Sequence, residues 1–122
     1  MIDLLKKWSQ LEPDRCSPAY SDEINDLGYE IQASQGIQTF YPSTGFCLGL
    51  TDYVIEAIAN RGWDYDLHSQ DSRHYASVEP RDHAFQDAID NSAAIALLTA
   101  YVQALEAPVF TRPPADWSDL TF

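Results

Sequence analysis

The chain has 122 residues, of which 45% are hydrophobic and 12% aromatic, so it can bury one hydrophobic core and is neither wholly disordered nor long enough to suggest two domains. It carries 19 acidic residues against 7 basic ones, a formal net charge of −12. This charge argues against nucleic acid and anionic membranes as partners, because both are bound mainly through lysine and arginine.

The first part of the chain predicts a helix, a loop and a hairpin. Apolar residues at near-helical spacing predict a short helix over residues 2–11, which Pro13 ends. We expect residues 13–21 to form a loop, followed by one turn of helix that ends at Gly28. Alternation of apolar and polar residues over 29–41 predicts a β-hairpin.

The middle of the chain predicts a helix and then two strands. Thr51 is expected to cap a helix over residues 52–61, with Gly62 in the left-handed conformation that ends many helices. The alternation over 63–68 is typical of a strand with one apolar and one polar face. A turn then leads to a returning strand over 73–79.

The last part predicts a short strand, a long helix and a tail. Residues 84–86 favour a short third strand, and apolar residues at helical spacing predict a helix over 92–106. Three residues could cap this helix: Asp90, Asn91 and Ser92. Residues 109–122 contain prolines, acids and aromatic residues, and predict an extended tail. Its aromatic residues either pack back on the domain, which is the favoured interpretation, or anchor a partner, for which Trp117 is the candidate.

Together these elements predict an α+β fold. We expect a small antiparallel sheet of three to five strands, packed with the two main helices, plus the short N-terminal helix. The domain organisation that follows is one compact domain over residues 1–108 and an acidic, aromatic tail over 109–122.

The order of features from Leu50 to Glu106 resembles that of the small ABA-sandwich domains found in many phage and prophage proteins. In that family a helix that opens with Ser/Thr-Asp leads to a hairpin of two or three short strands and closes on an Ala-rich helix. Three stretches occupy these places here: TDYVIEAIA at 51–59, Gly62-Trp63, and DNSAAIALL at 90–98. The cysteine that often follows the Ala-Ile pair of the last helix is absent. The resemblance implies an origin in a phage or mobile element and carries over no catalytic residue.

Acidic and imidazole side chains around the 63–68 strand could in principle gather as metal ligands. Asp64, Asp66 and His68 project from one face of the strand, and Asp71 and His74 lie just across the turn. Strand alternation produces such rows on ordinary solvated sheets, and no His-x-His or His-x-x-x-His spacing supports a metal. We therefore predict no metal and no cofactor.

Cys47 lies in a segment that matches a nucleophile elbow. Residues 45–49 read Gly-Phe-Cys-Leu-Gly and precede a helix, as that motif requires. A thiolate there would need a base, for which the candidates are His68, His74 and His83. The hydrolase fold that uses the elbow is far longer than this chain, so a small hydrophobic role for Cys47 is the favoured interpretation and we predict no catalytic residue.

The acidic excess is the feature that most directly suggests a function. Carboxylates displayed at intervals on a folded scaffold could imitate phosphates and bind a basic protein, although the same charge also serves plain solubility. The candidate partner-binding residues are Asp22, Glu23, Asp26, Asp52, Glu56, Asp64, Asp66, Asp71 and Trp117.

These observations predict a non-enzymatic acidic protein that engages and inhibits a basic, nucleic-acid-binding host protein, with no direct binding to nucleic acid or membrane. We expect a monomer or homodimer. We expect it in the cytoplasm, since two cysteines form no disulfide framework and the N-terminus lacks the features of a secretory signal. The alternatives are a small-ligand-binding domain or small Cys-dependent enzyme, and a structural or interaction subunit that works through the tail and a sheet edge.

Overall fold

The computed structural model describes residues 2–23, 25–41, 49–80 and 85–107. Within these ranges the backbone forms three helices and six strands. In chain order they are α1 (Ile2–Leu11), β1 (Cys16–Ser21), β2 (Asp26–Ala33), β3 (Gly36–Phe40), α2 (Leu50–Asn60), β4 (Asp64–Gln70), β5 (Arg73–Glu79), β6 (Gln86–Asp90) and α3 (Ala93–Glu106). The strands form two antiparallel three-stranded sheets, which we name sheet A (β1-β2-β3) and sheet B (β4-β5-β6).

Sheet A starts earlier in the chain than the sequence pattern indicates. The predictions of a loop over 13–21 and of a helical turn ending at Gly28 are wrong, because β1 pairs with β2 and Gly28 lies inside β2. Pro18 points to a loop, yet proline is tolerated on an edge strand such as β1. Gly28 serves close packing: a Cβ there would lie 2.7 Å from Thr39 Cγ2. The predicted hairpin over 29–41 is confirmed as the pairing of β2 with β3.

Helix α2 begins slightly earlier than predicted. Gly49, with φ of +83°, occupies the N-cap position, and no side chain caps the helix, so the prediction of Thr51 as the cap is wrong. Glycine adopts this left-handed conformation without strain, which lets the chain enter the helix at Leu50. Gly62 has φ of +72° just after the helix, as predicted.

Sheet B confirms the hairpin predicted around residues 63–79. A two-residue turn, in which Asp71 and Ser72 have φ of +54° and +65°, joins β4 to β5. The third strand, β6, spans Gln86–Asp90, and so is longer and later than the predicted 84–86.

Helix α3 is the centre of the packing. It contacts β5 and β6 of sheet B, and it also contacts α1 and α2. Helix α1 in turn contacts β1 of sheet A and helix α2 contacts β2, so the helices pack between the two sheets. Of the three candidate caps, Ser92 is the N-cap, and its Oγ accepts a hydrogen bond from the Ile95 backbone N–H at 3.3 Å.

The α+β class is confirmed, whereas the expected single sheet packed with two main helices is not, because the six strands lie in two sheets. The proposed boundary at residue 108 and the tail over 109–122 lie outside the described residues. In the ranges that are described, no helix is both long enough and apolar enough to cross a membrane.

Candidate functional site

Sheet B has one face against α3 and one face open to solvent. Directly paired residues of antiparallel strands share a face, and Ala76 and Val78 of β5 are 2% and 0% exposed on the side that α3 covers. The alternate residues therefore form the opposite side, which we name the outer face of sheet B. Its residues are Asp64, Asp66, His68 and Gln70 of β4, Arg73, Tyr75, Ser77 and Glu79 of β5, and Asp87 and Ile89 of β6.

Four carboxylates gather at one end of the outer face, and we name this group the acidic end. Asp64 is paired with Glu79, while Asp66 and Asp87 both pair with Ser77 from opposite sides. From the standard spacings of a sheet, the Cα atoms of Asp64 and Asp66 are about 7 Å apart along β4, and those of Asp66 and Asp87 are about 10 Å apart across two strand spacings. The Asp66 side chain is 70% exposed. This end of the sheet thus presents a regular array of negative charge to solvent.

A row of aromatic and apolar side chains crosses the outer face beside the acidic end, and we name it the aromatic row. It consists of His68, Tyr75 and Ile89, which are paired neighbours on the three strands. The rings of His68 and Tyr75 stack with centroids 5.2 Å apart, and Ile89 is 54% exposed. The Nδ1 atom of His68 lies 3.1 Å from the Asp66 carboxylate. Arg73, at the far end, is the one lysine or arginine among the residues of this face.

The remaining predicted residues of this hairpin do not join the acidic end. Asp71 lies in the turn, at the opposite end of β4 from Asp64. His74 lies on the inner face, where its Nδ1 is 2.8 Å from Ser69 Oγ, whereas His68 lies on the outer face. The two imidazoles therefore do not converge. Among the residues that the structure describes, no group of three or more His, Cys, Asp or Glu could hold a metal ion.

Three further candidate residues belong to sheet A. Asp22 and Glu23 are exposed in the turn between β1 and β2. Asp26 begins β2, and its Oδ1 accepts a hydrogen bond from the Leu27 backbone N–H at 2.8 Å. The structure therefore places these acids on a different sheet from the acidic end.

The two candidate acids of α2 have different surroundings. Asp52 is exposed in the first turn. Glu56, one turn later, accepts hydrogen bonds from the backbone N–H of Ser34, at 2.6 Å, and from its hydroxyl. These hydrogen bonds lower the pKa of the Glu56 carboxyl below its ordinary value, and the Arg15 guanidinium acts in the same direction. Glu56 therefore joins α2 to sheet A, whereas Asp52 points to solvent.

A cluster that no sequence pattern indicates is built around Glu12. Its Oε1 accepts hydrogen bonds from Trp8 Nε1 at 2.8 Å and from the Tyr101 hydroxyl at 2.6 Å. Its Oε2 accepts two from Arg61, at 3.0 and 2.8 Å, and the Arg61 guanidinium lies 5.0 Å from the centre of the Trp63 ring. The spacing of Trp8 and Glu12 is a local helical signal, but Arg61 and Tyr101 are distant in sequence and no pattern connects them.

The Glu12 cluster borders a groove of about 700 Å³. The groove is lined by residues from the end of α1, the β2–β3 turn and α2. Four of its charged side chains form two oppositely charged pairs, since Arg61 contacts Glu12 at 2.8 Å and Arg15 lies 4.0 Å from Glu56. The groove is best explained as the junction at which α1, α2 and sheet A are joined.

Cys16 is the cysteine that the structure describes, and it is fully buried. Its thiol donates to the Leu5 carbonyl, with Sγ and O 3.7 Å apart. Burial, followed by the nearby negative charge of Glu12, raises the pKa of the Cys16 thiol to about 12. The thiol is therefore protonated and poorly nucleophilic near neutral pH.

Several features predicted from the sequence lie outside the described residues. They are the elbow around Cys47, His83 as one of its candidate bases, and Trp117 in the tail. For these the sequence predictions stay predictions.

No protein-family model matches the chain, and neither the curated proteins nor the solved structures contain a match. The resemblance to ABA-sandwich domains accordingly stays a prediction.

Proposed function

We propose that this chain is a non-enzymatic binding protein, of phage or mobile-element type, that engages a basic nucleic-acid-binding host protein and inhibits it. The outer face of sheet B is the surface that binds. The observation that carries the proposal is the juxtaposition of the acidic end and the aromatic row on one open sheet face.

The acidic end supports the choice of a basic partner. Carboxylates repeated along a strand and across the sheet present a regular array of negative charge, which is the property of a nucleic-acid backbone that basic proteins bind. The array is held by hydrogen-bonded strands. A fixed negative surface steers a positively charged partner and raises the rate of association.

The aromatic row supports a protein partner. Interfaces between proteins combine an apolar or aromatic centre with a polar rim, and tyrosine is enriched among the residues that contribute most to binding. Tyr75 is stacked on His68, and Ile89 is exposed next to it. A partner that covers this row and meets the adjacent carboxylates with lysine or arginine gains both apolar burial and charge pairing.

Affinity capture with two variants of matched charge tests this proposal. Asp64→Asn with Asp66→Asn removes two carboxylates from the outer face, and Asp22→Asn with Glu23→Gln removes two from the β1–β2 turn. Either pair changes the net charge from −12 to −10. Wild-type protein is used as bait in bacterial lysate at low and at high salt, and the captured proteins are identified by mass spectrometry.

The proposal predicts a basic nucleic-acid-binding protein that is captured at low salt, released at high salt, lost with the outer-face variant and retained with the turn variant. The captured protein should also lose its binding to DNA or RNA when wild-type chain is added. Capture that is equal for the two variants, or that persists at high salt, contradicts the proposal.

A further inference from the structure

Strand β4 is an edge strand of sheet B whose charged side chains, Asp64 and Asp66, are both acidic. Among the strands that the structure describes, it pairs with β5 alone, over seven residues, and it is the longest edge strand. Its pairing runs without a bulge, and it contains neither proline nor lysine, which are common devices against the addition of another strand. The edge can therefore accept a further strand.

The backbone groups that would bind such a strand follow from the hairpin geometry. The two-residue turn closes on the pair Gln70 and Arg73, so alternate residues of β4 hydrogen-bond to β5, beginning with Gln70. The N–H and C=O groups of Tyr65, Leu67 and Ser69 therefore point away from β5. In the described part of the chain, no backbone hydrogen bond outside the ladders involves residues 64–70.

The side chains along the edge alternate in chemistry. On the outer face the edge presents Asp64, Asp66 and His68, of which two are acidic. On the inner face it presents Tyr65 and Leu67, and Tyr65 remains 41% exposed although it lies on the side that packs toward α3. A strand beside β4 would cover Tyr65 with its own inward side chains and meet the carboxylates with its outward ones.

We propose that the partner binds by adding a strand to the free edge of β4, and that this strand alternates basic and apolar residues. Lysine or arginine lies beside Asp64 and Asp66 on the outer face, and apolar side chains lie beside Tyr65 and Leu67 on the inner face. Main-chain hydrogen bonds to Tyr65, Leu67 and Ser69 supply affinity, as in other cases of strand addition. This inference rests on the proposed function and specifies the form of the basic partner.

Synthetic peptides and three variants test the inference. The probe is the seven-residue peptide Lys-Val-Lys-Val-Lys-Val-Lys with blocked ends, matched in length to β4. A first control peptide carries N-methyl groups on the amides of its valines. A second control peptide contains the same lysines and valines, but with the lysines grouped together and the valines grouped together instead of alternating. The variants are Ser69→Pro, Ser69→Ala as its control, and Asp64→Asn with Asp66→Asn.

Ser69→Pro removes an outward N–H and places the proline ring in the path of an added strand. It leaves the ladder with β5 intact, because the Ser69 N–H does not point toward β5. Ser69→Ala keeps the N–H and removes only the hydroxyl that contacts His74. The dissociation constant of the alternating peptide should rise by about tenfold or more for Ser69→Pro and stay near that of the wild type for Ser69→Ala.

Amide hydrogen exchange of the wild-type protein provides a second measurement that does not depend on the folding of Ser69→Pro. Bound alternating peptide should protect the amides of Tyr65, Leu67 and Ser69, and the N-methylated and block peptides should not. If the N-methylated peptide binds and protects equally, or if protection falls on β6 instead, strand addition at β4 is wrong. If the variant Asp64→Asn with Asp66→Asn binds the alternating peptide as tightly as the wild type does, the proposed function itself is contradicted. The two failures are therefore distinguishable.

Discussion

At the scale of single residues, the partly buried carboxylate of Glu12 is shared by three donor side chains. Its carboxylate accepts hydrogen bonds from Trp8, Tyr101 and Arg61, and the first two side chains are fully buried. Removing one partner of a buried network leaves the others without an acceptor, which costs more than the net contribution of a hydrogen bond.

Glu12→Ala should therefore lower the free energy of unfolding by about 2–4 kcal/mol, because the Trp8 and Tyr101 donors lose their shared acceptor. Asp14→Ala, two residues later at an exposed position, is the control and should change it by less than about 0.5 kcal/mol. Urea unfolding followed by tryptophan fluorescence gives both values. Equal effects of the two substitutions would show that the Glu12 cluster does not stabilise the fold.

Cys16 predicts a dependence of stability on alkaline pH. Burial raises the pKa of its thiol from an ordinary value of 9.0 to about 12, so the folded chain holds the proton more tightly than the unfolded chain. The stability that this contributes is fully present below about pH 9 and is lost as the pH rises toward about 12. Burial raises the pKa of Tyr101 and Tyr29 as well, which acts in the same direction.

The free energy of unfolding should thus fall as the pH rises from about 9 toward about 12. The fall should be less steep for Cys16→Ala, whose absolute stability is lower but which has no thiol to titrate at this position. Urea unfolding over this pH range measures both slopes. Parallel slopes for the wild type and the variant would contradict a raised pKa at Cys16.

At the scale of elements, sequence patterns located the second half of the fold better than the first. The predictions over 63–68, 73–79 and 92–106 correspond to β4, β5 and α3, whose alternation or helical spacing is continuous. Strand β1 was missed because Cys16–Ser21 contains Pro18 and no branched aliphatic residue, and its pairing with β2 is a tertiary contact. The strand propensity of the residues is a weak predictor where pairing with another strand decides the conformation.

The candidate site shows the same division. Alternation along β4 was sufficient to place Asp64 and Asp66 on one face, but Glu79 and Asp87 join them through strand register, which the sequence does not show. The Glu12 cluster could not be predicted either, since Tyr101 lies 89 positions from Glu12.

The turn between β4 and β5 is suboptimal for its geometry. Asp71 and Ser72 both have positive φ, which suits Asn-Gly or Asp-Gly and strains a residue such as serine. Ser72→Gly should raise the free energy of unfolding by about 0.5–1 kcal/mol. Ser77→Gly, the same chemical change inside strand β5, should lower it by a similar amount. A thermal melt of each variant measures these shifts, and destabilisation by Ser72→Gly would contradict this account of the turn.

At the scale of the whole molecule, the net charge of −12 is distributed over separate surfaces. The acidic end lies on sheet B, the acids of the β1–β2 turn lie on sheet A, and Asp52 is exposed on α2. Glu12 and Glu56 accept hydrogen bonds that join separate elements of the fold, so these two acids contribute to the stability of the fold. The proposed function depends on one of these surfaces, the outer face of sheet B, and not on the total charge.

This distinction makes the response of affinity to salt informative. If the partner binds at the acidic end, the logarithm of the association constant should fall steeply with the logarithm of salt concentration. Removing carboxylates from that end should weaken binding and also reduce this slope. Carboxylates elsewhere contribute only through the screened long-range field. The matched pairs Asp64→Asn with Asp66→Asn, and Asp22→Asn with Glu23→Gln, separate the two contributions.

The most direct measurement is the dissociation constant of the captured basic partner for the wild type and for these two variants, over a series of salt concentrations. The outer-face variant should bind about tenfold or more weakly at low salt and show a shallower salt dependence, while the turn variant stays close to the wild type. Identical curves for the two variants, or an affinity that does not change with salt, would contradict recognition through the outer face of sheet B.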